Sequence, residues 1–455
     1  MSTSIFDIFE TFAEESPVTV MMRELMERVF RAERLDAIFT EHSKVQYERE
    51  LLFSSLVNLL SLVVCGIHPS VNAAYKAKAE TLNVNRAAIY QKLNGVEVSV
   101  SSALLRETSS ELGQLIEKMG GEARTPLLAG YDVRILDGNA LAATEHRLKV
   151  LRNVGAAPLP GKSLVVLAPD SRLVVDIFPC EDGHAQERGL FDQVLATVKA
   201  EQLWIADRNM CTLGFLFGIA DHNATFVIRE HQNLPWESIS ELESVGFVES
   251  GELFEQMIQI EREGQSLTIR RVVLRLLKKT RHDECEIVFL TNLPIEIASA
   301  ALVSQLYRER WQIETLFLTV TMNFEGEINT LAYPKAALFS FSLALVTYNI
   351  LATIRAVLGS VHGIEKMDIE LSDYYMVDEM QHTYRGMMIA IPGDYWKRFG
   401  DMGLMDMIEH LKELSGKVNL KRFLKHPRKK KHSQPKPIKD PKHPHVSTAK
   451  LLSQN

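Results

Sequence analysis

The stretch YDVRILDGNAL, Tyr131–Leu141, changes the grammar of the chain. Ahead of it apolar residues recur at helical spacing; within it Val133, Ile135 and Leu136 make a short apolar run that stops at Asp137-Gly138. A run of that length bounded by turn-forming residues predicts a buried strand that ends in a carboxylate. The pattern returns in ERGLFDQVLATVKAEQLWIADRNM, Glu187–Met210, which predicts a helix leading into a strand that ends at Asp207. Between them KSLVVLAPDSRLVVDIFPCEDG, Lys162–Gly183, predicts a hairpin turning at Pro169–Ser171. Two strands thus carry an acid to the C-terminal edge of an α/β sheet, the edge where strand ends fix geometry and loops leave room for substrate.

Toward the N-terminus, residues 1–125 read as helical: PVTVMMRELMERVFRAERLDAIFTEH and YERELLFSSLVNLLSLVVCGI carry apolar residues at helical period. VNAAYKAKAETLNVNRAAIYQKLNG, Val71–Gly95, predicts helix, turn, helix, with Asn85 as the N-cap of the second. Such a pair can set its second helix in a DNA major groove with Asn85, Arg86, Tyr90 or Gln91 outward, and such pairs also simply pack in bundles.

Toward the C-terminus, ATFVIRE, LFEQMIQIE, LTIRRVVLRLL and CEIVFLTNL add strand-like segments, and 107 residues separate Asp207 from Glu314. That gap is large for a compact α/β core, so a β-rich insertion over about 232–284 is expected. LYRERWQIETLFLTVT, Leu306–Thr321, then predicts one helix that buries Leu306, Ile313, Phe317 and Val320 and sets Tyr307, Arg310 and Glu314 beside that seam.

At 455 residues and 46% hydrophobic, the chain has the length for two to four globular units and is not a disordered protein. Cys65, Cys180, Cys211 and Cys285 are too far apart for a CxxC pair, and the N-terminus lacks the order of a signal peptide; a reducing cytoplasm and no cysteine-based zinc site are expected. The uncharged run AALFSFSLALVTYNILATI, Ala336–Ile354, has about the length of a bilayer span, but its Ser340, Ser342, Thr347, Asn349 and Thr353 favour a buried core helix in a soluble protein. Net charge is −7; from Asn419 onward eleven Lys/Arg face one acid, Asp440, so a basic tail follows a body of charge −17. That tail reads as a disordered arm, either merely solvated or gaining order on a polyanion.

Asp137, Asp207 and Glu314 are the residues that point to chemistry. Carboxylates are hard ligands suited to Mg²⁺, and paired ions serve phosphoryl displacement. Each has a plainer reading too: Asp137 before Gly138 as a turn residue, Asp207 paired with Arg208, Glu314 paired with Arg310 four residues earlier. His184 in CEDGHAQER is a lone histidine after a strand, and His426, His432, His443 and His445 have no ligand spacing. No Gly-rich phosphate loop is present.

Together ILDGN, WIADRNMCT and YRERWQIETLF resemble the three catalytic blocks of DDE transposases encoded by bacterial insertion sequences. The last resembles the insertion sequence 4 family signature, Tyr, two residues, Arg, three residues, Glu, six residues, Lys. Tyr307, Arg310 and Glu314 match it; the Lys position holds Thr321. The resemblance runs from about Tyr131 to Leu358. It implies an RNase H-like α/β core with a five-stranded mixed sheet, an insertion after the fifth strand, and Asp137, Asp207 and Glu314 as ligands of two Mg²⁺ ions, with Mn²⁺ able to replace them. It implies that Tyr307 and Arg310 contact the phosphate backbone, that Trp311 stacks on a displaced base, and that Trp236 traps a flipped one. The domain reading is 1–125 helical and DNA-end binding, 126–231 with 285–360 catalytic core, 232–284 insertion, 361–418 helical, and 419–455 basic tail. The implied function is metal-dependent cleavage at element ends and strand transfer, with double-stranded DNA and a second copy as partners, in the cytoplasm on nucleoid DNA. The rivals are a non-catalytic DNA-binding derivative and an RNase H-like nuclease.

Overall fold

The computed structural model describes residues 4–46, 50–80, 82–120, 124–280, 283–426 and 445–454. Its strands are β1 (Asp132–Ala140), β2 (Ala157–Leu159), β3 (Lys162–Ala168), β4 (Leu173–Cys180), β5 (Gln202–Ala206), β6 (Thr225–Arg229), β7 (Glu237–Ser238), β8 (Glu243–Val248), β9 (Gly251–Arg262), β10 (Gln265–Leu276), β11 (Glu286–Thr291) and β12 (His445–Ser447). Ten form one mixed sheet in the order β4-β3-β1-β5-β6-β11-β10-β9-β7, with β8 also on β9. β1, β5 and β6 run parallel; the other pairings in this sheet are antiparallel. The fold is mixed α/β, with helices on both sheet faces.

Strand alternation separates the two faces. Val133, Ile135, Leu203 and Ile205 point into a large core shared with the N- and C-terminal helices. Leu136, Trp204, Ala206 and Phe226 point the other way, into a smaller core with the helices Phe191–Leu195 and Leu213–Asp221. Phe9, Leu25, Leu60 and Leu104 belong to the same core as Ile135, so the helices of 1–125 form a layer on the sheet instead of a separately cored domain. Asn85 does cap the helix Arg86–Gly95, its Oδ1 accepting from the Ala88 N–H at 3.0 Å; Asn85, Arg86 and Gln91 are exposed and Tyr90 is half-buried.

The uncharged run lies in a 29-residue helix, Pro334–His362. By length and composition it could cross a membrane, yet 94% of its most apolar window is buried within the fold. Ser340, Ser342, Thr347, Asn349 and Thr353 are all fully buried, and Thr347 and Thr353 return their hydroxyls to backbone carbonyls four residues earlier. This helix packs on β4 and on the helix Val98–Lys118, which covers the edge of the sheet. A covered edge strand is closed to pairing with another chain.

Four expectations need correction. β1 does not end at Asp137: Gly138, Asn139 and Ala140 continue its pairing with Leu164, Ser163 and Lys162 of β3. Leu306–Thr321 is not one helix: Ala300–Arg308 ends, and Trp311–Asn323 begins after a joint at Glu309-Arg310. At that joint the Arg310 N–H reaches Tyr307 O and the Ile313 N–H reaches Arg310 O, both at 3.1 Å, which is the tighter i to i+3 pattern. Leu316 takes the fully buried place expected of Phe317, which is half-buried. Third, the mixed sheet is not five-stranded: β7 to β10 of the β-rich insertion extend it through β11 to ten strands. Fourth, neither described end of 419–455 is a free arm. Leu420–Phe423 forms a helical turn against the body, β12 pairs in parallel with β2, and Lys450 reaches Asp182 at 3.2 Å. The intervening basic run, with His432 and His443, lies outside the described residues.

Candidate active site

The parallel register sets the site. Leu136 pairs with Ala206, so the next residues, Asp137 in β1 and Asp207 just past β5, lie side by side on adjacent strands. Both share the parity of Ile135 and Ile205 and therefore face the helices, where Glu314 stands in the first turn of Trp311–Asn323. Gly138 has the opposite parity: a Cβ there would meet the Glu187 carboxylate at 2.4 Å. The glycine answers to a close approach on the far face, and the turn reading of Asp137-Gly138 is replaced by continuous strand.

Arg310, at the joint between the two helices, ties the acids together. Its Nη1 donates to Asp137 Oδ2 at 2.7 Å and its Nη2 to Glu314 Oε1 at 2.5 Å. The i, i+4 pair considered for Glu314 is thus present, but the same guanidinium also holds Asp137. Tyr307, on the last turn of Ala300–Arg308, points its hydroxyl at Asp207 Oδ1 across 3.4 Å and packs its ring on Phe289 of β11. Arg208 does not pair with Asp207; it reaches Glu284 at 3.4 Å, which Arg229 at the end of β6 also binds.

Burial dominates the electrostatics. It pushes the Asp137 carboxyl up to about 6, with Asp207 and Glu314 adding in the same direction and Arg310 and the Gly138 N–H opposing. The Tyr307 phenol is raised to about 12, first by burial and then by Asp207. Arg310 is held more firmly protonated by Tyr307, Asp137 and Glu314 despite its own burial. A cluster in which one acid is already pushed toward neutrality calls for more positive charge than a single guanidinium supplies.

Trp311 is 62% exposed beside the acids, 6.0 Å from the Arg310 guanidinium. Trp236 lies in the insertion, with the Arg271 guanidinium 5.1 Å over its ring, and has no described contact with the acids. His184 is exposed, and its backbone N–H, not its ring, is engaged, by Asp182. Thr321 is exposed and spends its hydroxyl on Phe317 O at 2.8 Å. Sequence reading missed the Arg229–Glu284–Arg208 group; the only local sign was Arg229 at the end of a third apolar run. It also missed a surface cluster on the N-terminal helices, Glu41, His42 and Glu107, whose ligand atoms lie within 4.8 Å of one another.

Residues 129–350 match the family model described as Transposase DDE domain. This stretch is similar to transposase DDE domains. It contains all three acids with Tyr307 and Arg310, and transposase function goes with it. No curated protein matches the chain. A cryo-EM structure of a piggyBac transposase synaptic complex with hairpin DNA aligns over 88% of this chain and 86% of that one, at 11% identity and a TM-score of 0.40, a likeness too low to carry argument.

Proposed function

We propose that the chain is a divalent-metal-dependent transposase of the insertion sequence 4 type, built on an RNase H-like core, that cleaves the DNA ends of its element and joins them to target DNA. The observation that carries this reading is the convergence of Asp137 Oδ2 and Glu314 Oε1 on one cation, with Asp207 on the neighbouring strand. The strand order β4-β3-β1-β5-β6, with β3 antiparallel to β1 and β4, β5 and β6 parallel to it, supports the core assignment.

The donor set fits a hard divalent ion. Three carboxylates with no thiol or imidazole among them suit Mg²⁺, and Mn²⁺ as its substitute, and two of their oxygens already surround a positive charge. Asp137, Asp207 and Glu314 would hold the metal. When bound, a pair of such ions makes an attacking oxygen nucleophilic and stabilises the leaving oxygen in an in-line displacement.

The chain's own groups position the DNA. Arg310 offers a planar fork to a phosphate of the scissile strand, and Tyr307 a hydroxyl on the same side. Trp311 presents an open ring to an unpaired base, and the exposed Asn85, Arg86 and Gln91 offer polar groups to duplex DNA farther from the cleavage point. Cleavage and joining are both phosphoryl transfers, so one cluster serves both, and joining two ends calls for two copies of the chain.

Purified protein, DNA carrying the ends of its element, a target plasmid and Mg²⁺ test the reading. Cleaved ends joined to target are expected. Cleavage without joining would make it a nuclease, and binding without cleavage a DNA-binding derivative; either result overturns the transposase mechanism.

A further inference from the structure

We infer that Arg310 is the resident counter-cation of the acid cluster, occupying the carboxylates until divalent metal displaces it, so that metal entry itself frees the guanidinium for a DNA phosphate. The inference rests on the metal-site reading of Asp137 and Glu314.

Three observations carry it. First, the two hydrogen bonds use separate nitrogens on separate elements: Nη1 on Asp137 Oδ2 of β1 and Nη2 on Glu314 Oε1 of the following helix. A planar guanidinium bridges two carboxylates as a fork, which a point charge cannot. Among the described residues Arg310 is the only cation in ion-pair contact with either acid. Second, its side chain is only 13% exposed and its Nε has no hydrogen-bond partner. Apart from the acids it meets only neighbours on its own helix pair, the rings of Tyr307 at 5.8 Å and Trp311 at 6.0 Å, so replacing the two carboxylate bonds removes its ties to β1. Third, Arg310 sits on the tight i to i+3 joint between Ala300–Arg308 and Trp311–Asn323, with neither proline nor glycine imposing the break. Short 3₁₀ stretches within helices mark hinges, so the joint gives the side chain a pivot.

The same oxygens cannot serve both partners. A divalent ion takes a carboxylate oxygen at about 2.0–2.1 Å and repels a guanidinium hydrogen-bonded to that oxygen. Occupation by metal and by Arg310 is therefore competitive, and metal loading exposes a charged fork beside the place where the scissile phosphate would lie. Until then Arg310 offsets part of the cluster's charge from within and bridges two of its carboxylates.

Mn²⁺ binding to the full chain, followed by the loss of the free-ion electron paramagnetic resonance signal, tests this without reference to activity. Asp137→Asn serves as the reference that subtracts Mn²⁺ held elsewhere, including by Glu41, His42 and Glu107. Arg310→Gln should bind Mn²⁺ about tenfold or more tightly than the natural chain, the scale of one charged hydrogen bond. Arg310→Lys, which keeps the charge and loses the fork, should fall between them, and it tests the idea even where the glutamine variant folds poorly. Equal affinities in the natural chain and both variants, with binding lost in Asp137→Asn, would overturn the counter-cation role and leave the metal site standing. Mn²⁺ binding that Asp137→Asn does not reduce would overturn the metal reading of the acids, and this inference with it.

Discussion

Asn349, fully buried in the middle of the Pro334–His362 helix, binds both backbone groups of Val174 on the edge strand β4: its Oδ1 accepts from the Val174 N–H and its Nδ2 donates to the Val174 carbonyl, each at 2.8 Å. The pairing of β3 with β4 shifts register between Val166 and Leu167, where Leu167 pairs with Val174. A side-chain amide from the helix thus completes the edge strand. Replacing it with leucine strips a buried N–H and a buried C=O of their partners, at about 1–3 kcal/mol each. Asn349→Leu should lower the denaturation midpoint accordingly in chemical unfolding, while Asn349→Gln, too long to reach back in the same geometry, should rescue little.

Arg270 plays a comparable part under the helix pair that carries Tyr307 and Glu314. Its guanidinium pairs with Glu255 and donates through Nη1 to Leu293 O at 2.9 Å and Ala298 O at 2.7 Å, pinning the loop that leads into Ala300–Arg308. Breaking a buried pair of this kind costs about 3–5 kcal/mol. Arg270→Met should destabilise the protein on that scale and also lower the end-cleavage rate, because the freed loop leads into the helix that carries Tyr307. Melting temperature and cleavage rate measured on the same preparation check both halves.

His410 and Glu24 give stability a pH dependence. His410 Nε2 lies 2.9 Å from Glu24 Oε1, whose side chain is fully buried. The Glu24 hydrogen bond raises the histidine above its ordinary 6.5, and burial raises Glu24 above 4.5; Arg398 and Arg23 face Glu24, and Glu413 and Glu10 face His410. Both groups hold a proton more tightly folded than unfolded. Their contribution is therefore complete below the unfolded values and is lost as pH rises through the folded ones. The melting temperature should fall as pH climbs from the unfolded Glu24 value of about 4.5 and on past the unfolded His410 value of about 6.5, and His410→Gln should flatten the upper part of that slope; an unchanged slope would sink the assignment.

Thr321 stands where the insertion sequence 4 signature has lysine, and it is exposed. A lysine side chain fits there without repacking. Thr321→Lys should tighten binding of element-end DNA and steepen the slope of log affinity against log salt by about one, as for a single added phosphate contact. Filter binding at several salt concentrations measures it; an unchanged slope would mean the position does not face DNA.

What could be read from the sequence was local. Apolar runs ending in Asp137 and Asp207 located two strands and an acid at the C-terminal edge of each; that both acids share a face follows from the parallel register of β1 with β5. The continuation of β1 to Ala140 was hidden because a Gly-Asn pair looks like a turn until its partner in β3 is known. The joint at Glu309-Arg310 was hidden for a different reason: both residues are good helix formers, and the side chain of Arg310 is committed to an aspartate 173 positions away. The return of β12 to β2 and the extension of the sheet through the insertion are likewise pairings of distant segments, which no window along the chain contains. The joint matters most, since it carries the guanidinium that bridges Asp137 and Glu314.

The unbroken run of hydrogen bonds from β9 through β10, β11 and β6 to β5 makes the insertion one end of a stiff plate whose other end carries Asp207. A displacement of β9 is delivered as shear along that plate and is not absorbed at a flexible linker. The insertion is thus geared to the acids, and a substitution that softens the β6–β11 seam should blunt catalysis from a distance while leaving every acid in place.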